Sequence, residues 1–396
     1  MNNDKTSDKL YAIVIGASSE SIHAIKVAKK KGLKVLAFDG NKDAEGLKYA
    51  DESYVVDITK PRKIVKIINN KKIKSKEMVV LPVPIGRSLV SIGYFNKHYH
   101  LTGPTKRTCE ICTDKWLFHK VLSNKKMRNI NCKLIRKHTI PKKIKNFPAI
   151  IKPRYGAGSR EVLYIADKKA WKEALLFFPS NEDFIIEDAV SGIEYGIDGM
   201  VLENKFNLVL LRKKLLTLPP YRQCVGYISI CNDDALLKKI SVYIQKITSI
   251  IKLKNGIIHA DIIINRDQIF VIELSARPSG HRLHNLFTPM VTGVDIISEY
   301  LDYSSGKCIV LNTKKNIDTF LIRYFDIESE IKRIPDEDML ISKYNLLDYE
   351  CNMKLGEVKK IKDGHSLMNR GFFILKEHTE IDVCKKANEL LSEFLQ

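Results

Sequence analysis

A chain of 396 residues can hold two or three domains, and its 44% hydrophobic and 28% charged content is that of a globular protein rather than a disordered one. The net charge of +20 raises nucleic acid as a partner, but the excess is mostly Lys. It lies in scattered clusters such as KVAKKKGLK, NNKKIKSK and PKKIK, with no nucleic-acid-binding signature beside them. A solvated Lys-rich surface is expected, with small anionic substrates as secondary partners and no specific nucleic acid.

The polar start MNNDKTSDKL has no signal-peptide core, and no later apolar run approaches the ~20 residues that span a bilayer. A cytoplasmic protein without a membrane partner is expected. From Leu10 to about His100 apolar strands alternate with amphipathic helices: LYAIVI (10–15), LKVLAF (33–38), SYVVDI (53–58) and MVVLPVP (78–84). Between the first two, Ile22, Ile25 and Ala28 share one helical stripe. This is the rhythm of a parallel, Rossmann-like sheet. The turn GASSES has a single Gly, so a dinucleotide fingerprint is absent and Asp39 at the end of the second strand is a weak ribose ligand.

After the loop HLTGPTKR, one helical run is expected over Thr108–Leu122, then a basic polar linker to about Pro148. Cys109 and Cys112 form a lone CxxC without a second pair at zinc spacing, and the eight scattered cysteines suit a reduced state. Strands follow at AIIKP (149–153), EVLYIA (161–166) and FIIEDAV (184–190), with a helix around Trp171. A strand-rich part continues through Ile272, interrupted by a helix at roughly 236–252. The last ninety or so residues are expected to be β-rich, including KLGEVKKI and GFFILKE, before a terminal amphipathic helix.

The stretch HADIIINRDQIFVIELSARPSGH (259–281) carries the most chemistry. Two apolar runs meeting at Asn265-Arg266-Asp267 form a hairpin that brings Asp261 and Glu273 to one end of a shared site. Two hard oxygen ligands plus nucleotide phosphates suit Mg²⁺. Arg277 follows four residues after Glu273, where a cation meets anionic substrate or transferring phosphate. Lys152 ends an apolar strand before Gly156, Gly158, Ser159 and Arg160, a loop able to hold phosphate. Glu187 and Glu194, seven apart, could accept from an adenine amino group and ribose hydroxyls. Read singly, each segment also fits a plain hairpin, a turn or surface acids.

In order and spacing these segments resemble the ATP-grasp superfamily over nearly the whole chain. The resemblance implies an α/β and α+β architecture: a Rossmann-like preATP-grasp domain (1–105), a bipartite grasp (106–186 and 187–305, the second part with the metal site), and a C-terminal β-rich, lid-like region (306–396). It implies ATP as co-substrate with Mg²⁺ or Mn²⁺. Lys115, in Thr113-Asp114-Lys115, and Lys152 would hold phosphate with Gly156, Gly158 and Ser159. Glu187 and the backbone of Ala189 and Val190 would hold adenine, and Glu194 the ribose. Asp261 and Glu273 would hold metal, and Arg277, with Lys152, would act in catalysis. Ser275 stands where many members have a metal-binding Asn, leaving one or two ions open.

ELSARPSGH is similar to two purine-pathway members, carboxyaminoimidazole ribonucleotide synthetase and formate-dependent glycinamide ribonucleotide transformylase. The C-terminal segment is closer to amino-acid and dipeptide ligases. A carboxylate–amine ligase working through an acyl phosphate is therefore expected. A ribonucleotide carboxylase or transformylase and a non-catalytic ATP-binding module are the alternatives. Tyr221, Arg222, His281, Arg282 and His284 are candidate specificity residues for small carboxylate and amine substrates, and a homodimer is left open.

Overall fold

A computed structural model describes residues 10–396 other than 140, 142, 143, 157, 159, 177–181, 220 and 362. β1 (Tyr11–Ile15) and β2 (Lys34–Asp39) are buried on both faces, as apolar strands must be in a parallel sheet covered on each side. Between them α1 (Ile22–Lys30) buries Ala24, Ile25 and Ala28. β3 (Glu52–Val55), α2 (Pro61–Asn70), β4 (Met78–Val80) and α3 (Leu89–Tyr99) complete a four-stranded parallel sheet ordered β3-β2-β1-β4. The Rossmann-like expectation holds.

The helical run expected over Thr108–Leu122 is instead two helices, α4 (Lys106–Thr113) and α5 (Lys115–Ser123). Asp114 breaks the run: its backbone is extended, and its carboxylate accepts from the N–H groups of Trp116 and Leu117 at 3.0 and 3.1 Å. An N-cap carboxylate satisfies donors that the first turn leaves open. The stretch expected as a linker contains a further strand, β5 (Cys132–Ile135). It joins β6 (Ala149–Pro153), β7 (Leu163–Ile165) and β8 (Phe184–Asp188) in an antiparallel sheet ordered β5-β8-β6-β7. β7 is shorter than EVLYIA because Glu161 has φ +58°, outside the strand region. α6 (Lys168–Leu176) covers this sheet through Trp171 and Ala174.

The largest sheet begins with β9 (Ile193–Leu202), β10 (Lys205–Leu216) and β11 (Cys224–Ile230). α7 (Asp234–Ile250) then packs Ile240, Ile244 and Ile247 into the core and leads to β12 (Gly256–Asn265) and β13 (Gln268–Ser275). After the short helices α8 (Thr288–Thr292) and α9 (Ile296–Ser304), the chain returns to the same sheet through β14 (Thr319–Tyr324). α10 (Glu337–Tyr344), β15 (Asp348–Cys351), α11 (Gly364–Met368), β16 (Gly371–Glu377) and α12 (Glu380–Ser392) finish the fold. The eight strands run β13-β12-β9-β10-β11-β14-β16-β15, so the C-terminal strands continue the sheet that holds the carboxylate hairpin.

KLGEVKKI forms no strand; the strand lies upstream at Asp348–Cys351, paired with β16. Among the described residues no helix is long and apolar enough to cross a membrane.

Candidate active site

The hairpin of β12 and β13 places Asp261 directly opposite Glu273. The register shifts just beyond this pair, from Asp261–Glu273 to Ile262–Val271, leaving Ile272 as an extra residue on β13. A bulge of this kind re-aims side chains, here beside the two carboxylates. Lys214, on β10, sits with Nζ 2.5 Å from Asp261 Oδ2, while Asp261 Oδ1 is buried with no hydrogen-bond partner among the described residues. Burial opposes the charge on Lys214, but Asp261 and Glu194 hold its pKa above the ordinary lysine value.

On the neighbouring strand pair β10 and β9, Arg212 is fully buried and donates from Nη2 to Asp198 Oδ1 at 2.9 Å, while its Nη1 lies in ion-pair contact 2.7 Å from Oδ2. Ser279 and Thr288 hydroxyls donate to the same carboxylate at 3.2 and 2.8 Å. Asp198 thereby ties the segment after β13, which contains Arg277, to the centre of the sheet. Arg277 itself donates from Nη1 to Pro278 O at 2.7 Å.

A second charged cluster lies across the cleft. Lys152, the penultimate residue of β6, is only 4% exposed and ion-pairs with Glu187 on β8, which accepts a 2.7 Å bond from Arg128 Nη2. Burial would raise the Glu187 pKa, but Arg128 and Lys152 outweigh it and hold the carboxyl at about 2. Arg128 is fixed in turn by Val271 O at 3.1 Å and His119 Nδ1 at 2.9 Å. Burial and the adjacent guanidinium push His119 down to about 4.

Lys115, at the start of α5, donates to Gly156 O at 2.7 Å and lies 3.7 Å from Glu273 Oε2. It thus connects the glycine loop to the hairpin. Arg154 braces the same loop with a two-point bond to Asp114, Nε to Oδ1 at 2.9 Å and Nη2 to Oδ2 at 2.6 Å. Its Nη1 reaches Asp183 at 3.0 Å. The planar guanidinium suits such paired contacts.

One cleft between the two antiparallel sheets gathers most of the expected residues. Lys115, Lys152, Gly156 and Gly158 line it, with Asp261 and Glu273. Glu187, Ala189, Val190 and Glu194 line it as well. Ser159 lies outside the described residues. Glu187 reaches the cleft with its carboxylate engaged by two cations, so its geometry fixes Lys152 rather than presenting a free acceptor to a base. The Ala189 N–H is likewise taken by Pro148 O at 3.0 Å. Glu194 pairs with Arg222 at 2.6 Å, and Arg222 lines the same cleft. Tyr221 stands 38% exposed and does not line this cleft.

An adjoining chamber of about 360 Å³ shares Gly158, Lys214, Asp261 and Glu273 with this cleft and adds Glu20, His259, Arg277 and His281. Ser275 lines a different, outer cleft with Glu273 and Arg277, apart from Asp261. Among the described residues no three His, Cys, Asp or Glu side chains gather to hold a metal. Arg282 does not line the chamber; it pairs with Glu350 at 2.8 Å. His284 is buried, and burial and His23 push its pKa down to about 4.

Sequence reasoning passed over Arg128, Arg154, Lys214 and Glu20. For Lys214 a signal existed: Arg212 and Lys214 sit two apart inside an apolar run, so both face the same side of a strand that is otherwise buried. Arg128 and Glu20 stand in polar local sequence and gave none.

Residues 145–285 match the family model of the ATP-grasp domain. No curated protein matches the chain in sequence. Among solved structures it is similar to an L-amino acid ligase from Bacillus licheniformis, with a TM-score of 0.79 and 15% identity over 98% of each chain. It is similar to phosphoribosylglycinamide synthetase from Anaerococcus prevotii, with a TM-score of 0.69 and 17% identity over 98% of each chain. It is also similar to N5-carboxyaminoimidazole synthetase from Staphylococcus aureus complexed with ADP. There the TM-score is 0.72 and the identity 12%, over 98% of this chain and 99% of that one. At such identities the likeness is one of fold. The chain carries an ATP-grasp domain over residues 145–285 and has the fold of ATP-grasp proteins along its length.

Proposed function

We propose that the protein is an ATP- and Mg²⁺-dependent carboxylate–amine ligase that forms an amide and releases ADP and phosphate. The observation that carries this reading is one cleft joining Lys115 and Lys152 to the opposed pair Asp261 and Glu273, with Arg277 in the chamber that adjoins it. The groups named are all charged, Lys152 is braced by Glu187 and Arg128, and among the described residues these groups include no paired nucleophile and base. In-line phosphoryl transfer asks for that provision: positioning and charge neutralisation.

Asp261 and Glu273 fit a hard divalent ion. Both are oxygen donors: among the described residues Asp261 Oδ1 is buried without a hydrogen bond, with His259 Nε2 3.7 Å away, and Glu273 Oε2 lies 3.7 Å from Lys115. Mg²⁺ held there would neutralise charge on the β- and γ-phosphates. Lys115 and Lys152 contribute two further cations, and Arg128 and Glu187 keep Lys152 in place.

A carboxylate oxygen of the substrate attacks the γ-phosphorus, the bond from phosphorus to the bridging oxygen breaks, and ADP leaves with that electron pair. The acyl phosphate forms beside Arg277, which offsets charge on the transferring group. The amine nitrogen then attacks the acyl carbon, the carbon–oxygen bond breaks, phosphate leaves, and the surplus nitrogen proton passes to solvent. An acyl phosphate must be kept from water until the amine arrives. The glycine loop is suited to this, since Gly158 O accepts from Gly364 N at 3.2 Å and so bridges to the C-terminal segment.

We place this activity on small-molecule substrates in the cytoplasm. The run ELSARPSGH favours a second reading, a ligase or carboxylase acting on a ribonucleotide. ADP release from Mg-ATP, screened over amino acids, other small carboxylates and ribonucleotides with mass detection of products, separates the two. Production of AMP and pyrophosphate, or no nucleotide consumption at all, refutes the ligase reading.

A further inference from the structure

Glu20 lies in the turn after β1, far in sequence from the grasp domain, yet it lines the chamber beside the phosphate cleft. The turn is shaped for it. Gly16, with φ +97°, lets the chain double back where a Cβ would stand 2.7 Å from the Ile85 side chain. Glu20 Oε1 accepts from His281 N at 2.8 Å, which orients the carboxylate. Its other oxygen, Oε2, is buried without a hydrogen-bond partner among the described residues. Burial raises the pKa of this carboxyl against the pull of the His281 N–H, Arg282 and Arg277.

Among the described residues three carboxylates line the chamber: Glu20, Asp261 and Glu273. Asp261 and Glu273 also line the phosphate cleft, where Lys214 pairs with Asp261 Oδ2. Glu20 belongs to the chamber without lining that cleft. An oriented carboxylate with one oxygen dry and unpartnered is unfavourable until a donor reaches it, and a cationic donor gains most there. The chamber also presents Arg277, which suits the opposite charge. A molecule bearing an ammonium and a carboxylate satisfies both ends at once.

We infer that the carboxylate substrate is an amino acid, its ammonium group taken by Glu20 Oε2 while its carboxylate meets Arg277 beside the phosphate cleft. This rests on the ligase reading and adds the group that reads the amine. Glu20 then selects amino acids against the corresponding acids that lack nitrogen. A single charge-assisted bond lost from such a site lowers kcat/KM by about tenfold to a hundredfold.

The test uses hydroxylamine as acceptor, so that only the donor acid varies. The probes are the common L-amino acids, β-alanine and 4-aminobutyrate, each beside its desamino counterpart, with ADP release as the readout. The wild-type protein should prefer the amino form by at least about tenfold. Glu20→Gln should bring the two forms within about twofold by losing rate on amino acids alone, with Mg-ATP affinity by calorimetry unchanged. Glu20→Asp should keep part of the preference. The wild-type comparison needs no variant, so a folding defect in Glu20→Gln leaves the inference exposed to test.

Equal use of both forms by the wild-type protein overturns the inference and leaves the ligase reading standing. So does an unchanged preference in Glu20→Gln, or a loss seen only when an amine replaces hydroxylamine, which would make Glu20 a contact of the acceptor. No ADP release with any acid overturns both.

Discussion

Replacing Glu187 by Gln removes the anion that pairs with both Lys152 and Arg128. The three side chains are 3%, 4% and 2% exposed, so water cannot screen the two cations that remain. Two routes give the size of the effect. Removing one partner of a buried ion pair costs roughly 3–5 kcal/mol, because the other charge is left uncompensated. Independently, a fully buried carboxyl held at about 2 instead of its ordinary 4.5 represents about 3 kcal/mol of stabilisation of the charged form. Urea titration at pH 7 should therefore show Glu187→Gln less stable by about 3 kcal/mol, with the slope unchanged.

The sign with pH follows from the lowered value. The folded protein releases the Glu187 proton more readily than the unfolded chain, so its stabilisation is complete above about pH 4.5 and fades as pH falls towards 2. The gap between wild type and variant should close over that window. A double variant, Glu187→Gln with Lys152→Met, should recover part of the loss by removing one stranded cation. Equal urea midpoints for wild type and Glu187→Gln at pH 7 would refute the reasoning.

Lys152→Ala should weaken Mg-ATP binding by about tenfold to a hundredfold in calorimetric titration, the loss of one charge-assisted phosphate bond. Asp261→Ala and Glu273→Ala should each cost nearly as much turnover as the double variant, since ligands of one ion act as a unit; multiplying effects in steady-state assays would argue against a shared ion. Arg277→Ala should lower kcat by ~100-fold or more while leaving Mg-ATP affinity within a few-fold, and unaltered turnover would remove Arg277 from the reacting centre.

The large periodic features could be read from residues alone because they depend on local pattern. The apolar strands LYAIVI and LKVLAF, and the two runs meeting at Arg266-Asp267, form where periodicity puts them. Lys115, Lys152, Asp261 and Glu273 were found because motif order brings them to notice, and the fold sets them in one cleft.

Three features escaped for physical reasons. Apolar spacing continues across Asp114, so a capping carboxylate in mid-run looked like part of a helix. β5 has only four residues, one of them an exposed Lys, and is held by pairing with β8 rather than by its own composition. The partners that brace the site come from far along the chain: Arg128 reaches Glu187 across 59 residues, and Glu20 meets His281 across 261. No local window contains such pairs.

The passage of one oxygen from the carboxylate substrate to phosphate is the step that defines this ligase. An acid labelled with ¹⁸O in its carboxylate, incubated with the protein, Mg-ATP and hydroxylamine, reports it by mass spectrometry of the released phosphate. An acyl phosphate cleaved by amine attack at carbon leaves one ¹⁸O in each phosphate formed, together with ADP and a hydroxamate. Unlabelled phosphate, or label appearing in AMP, would contradict it.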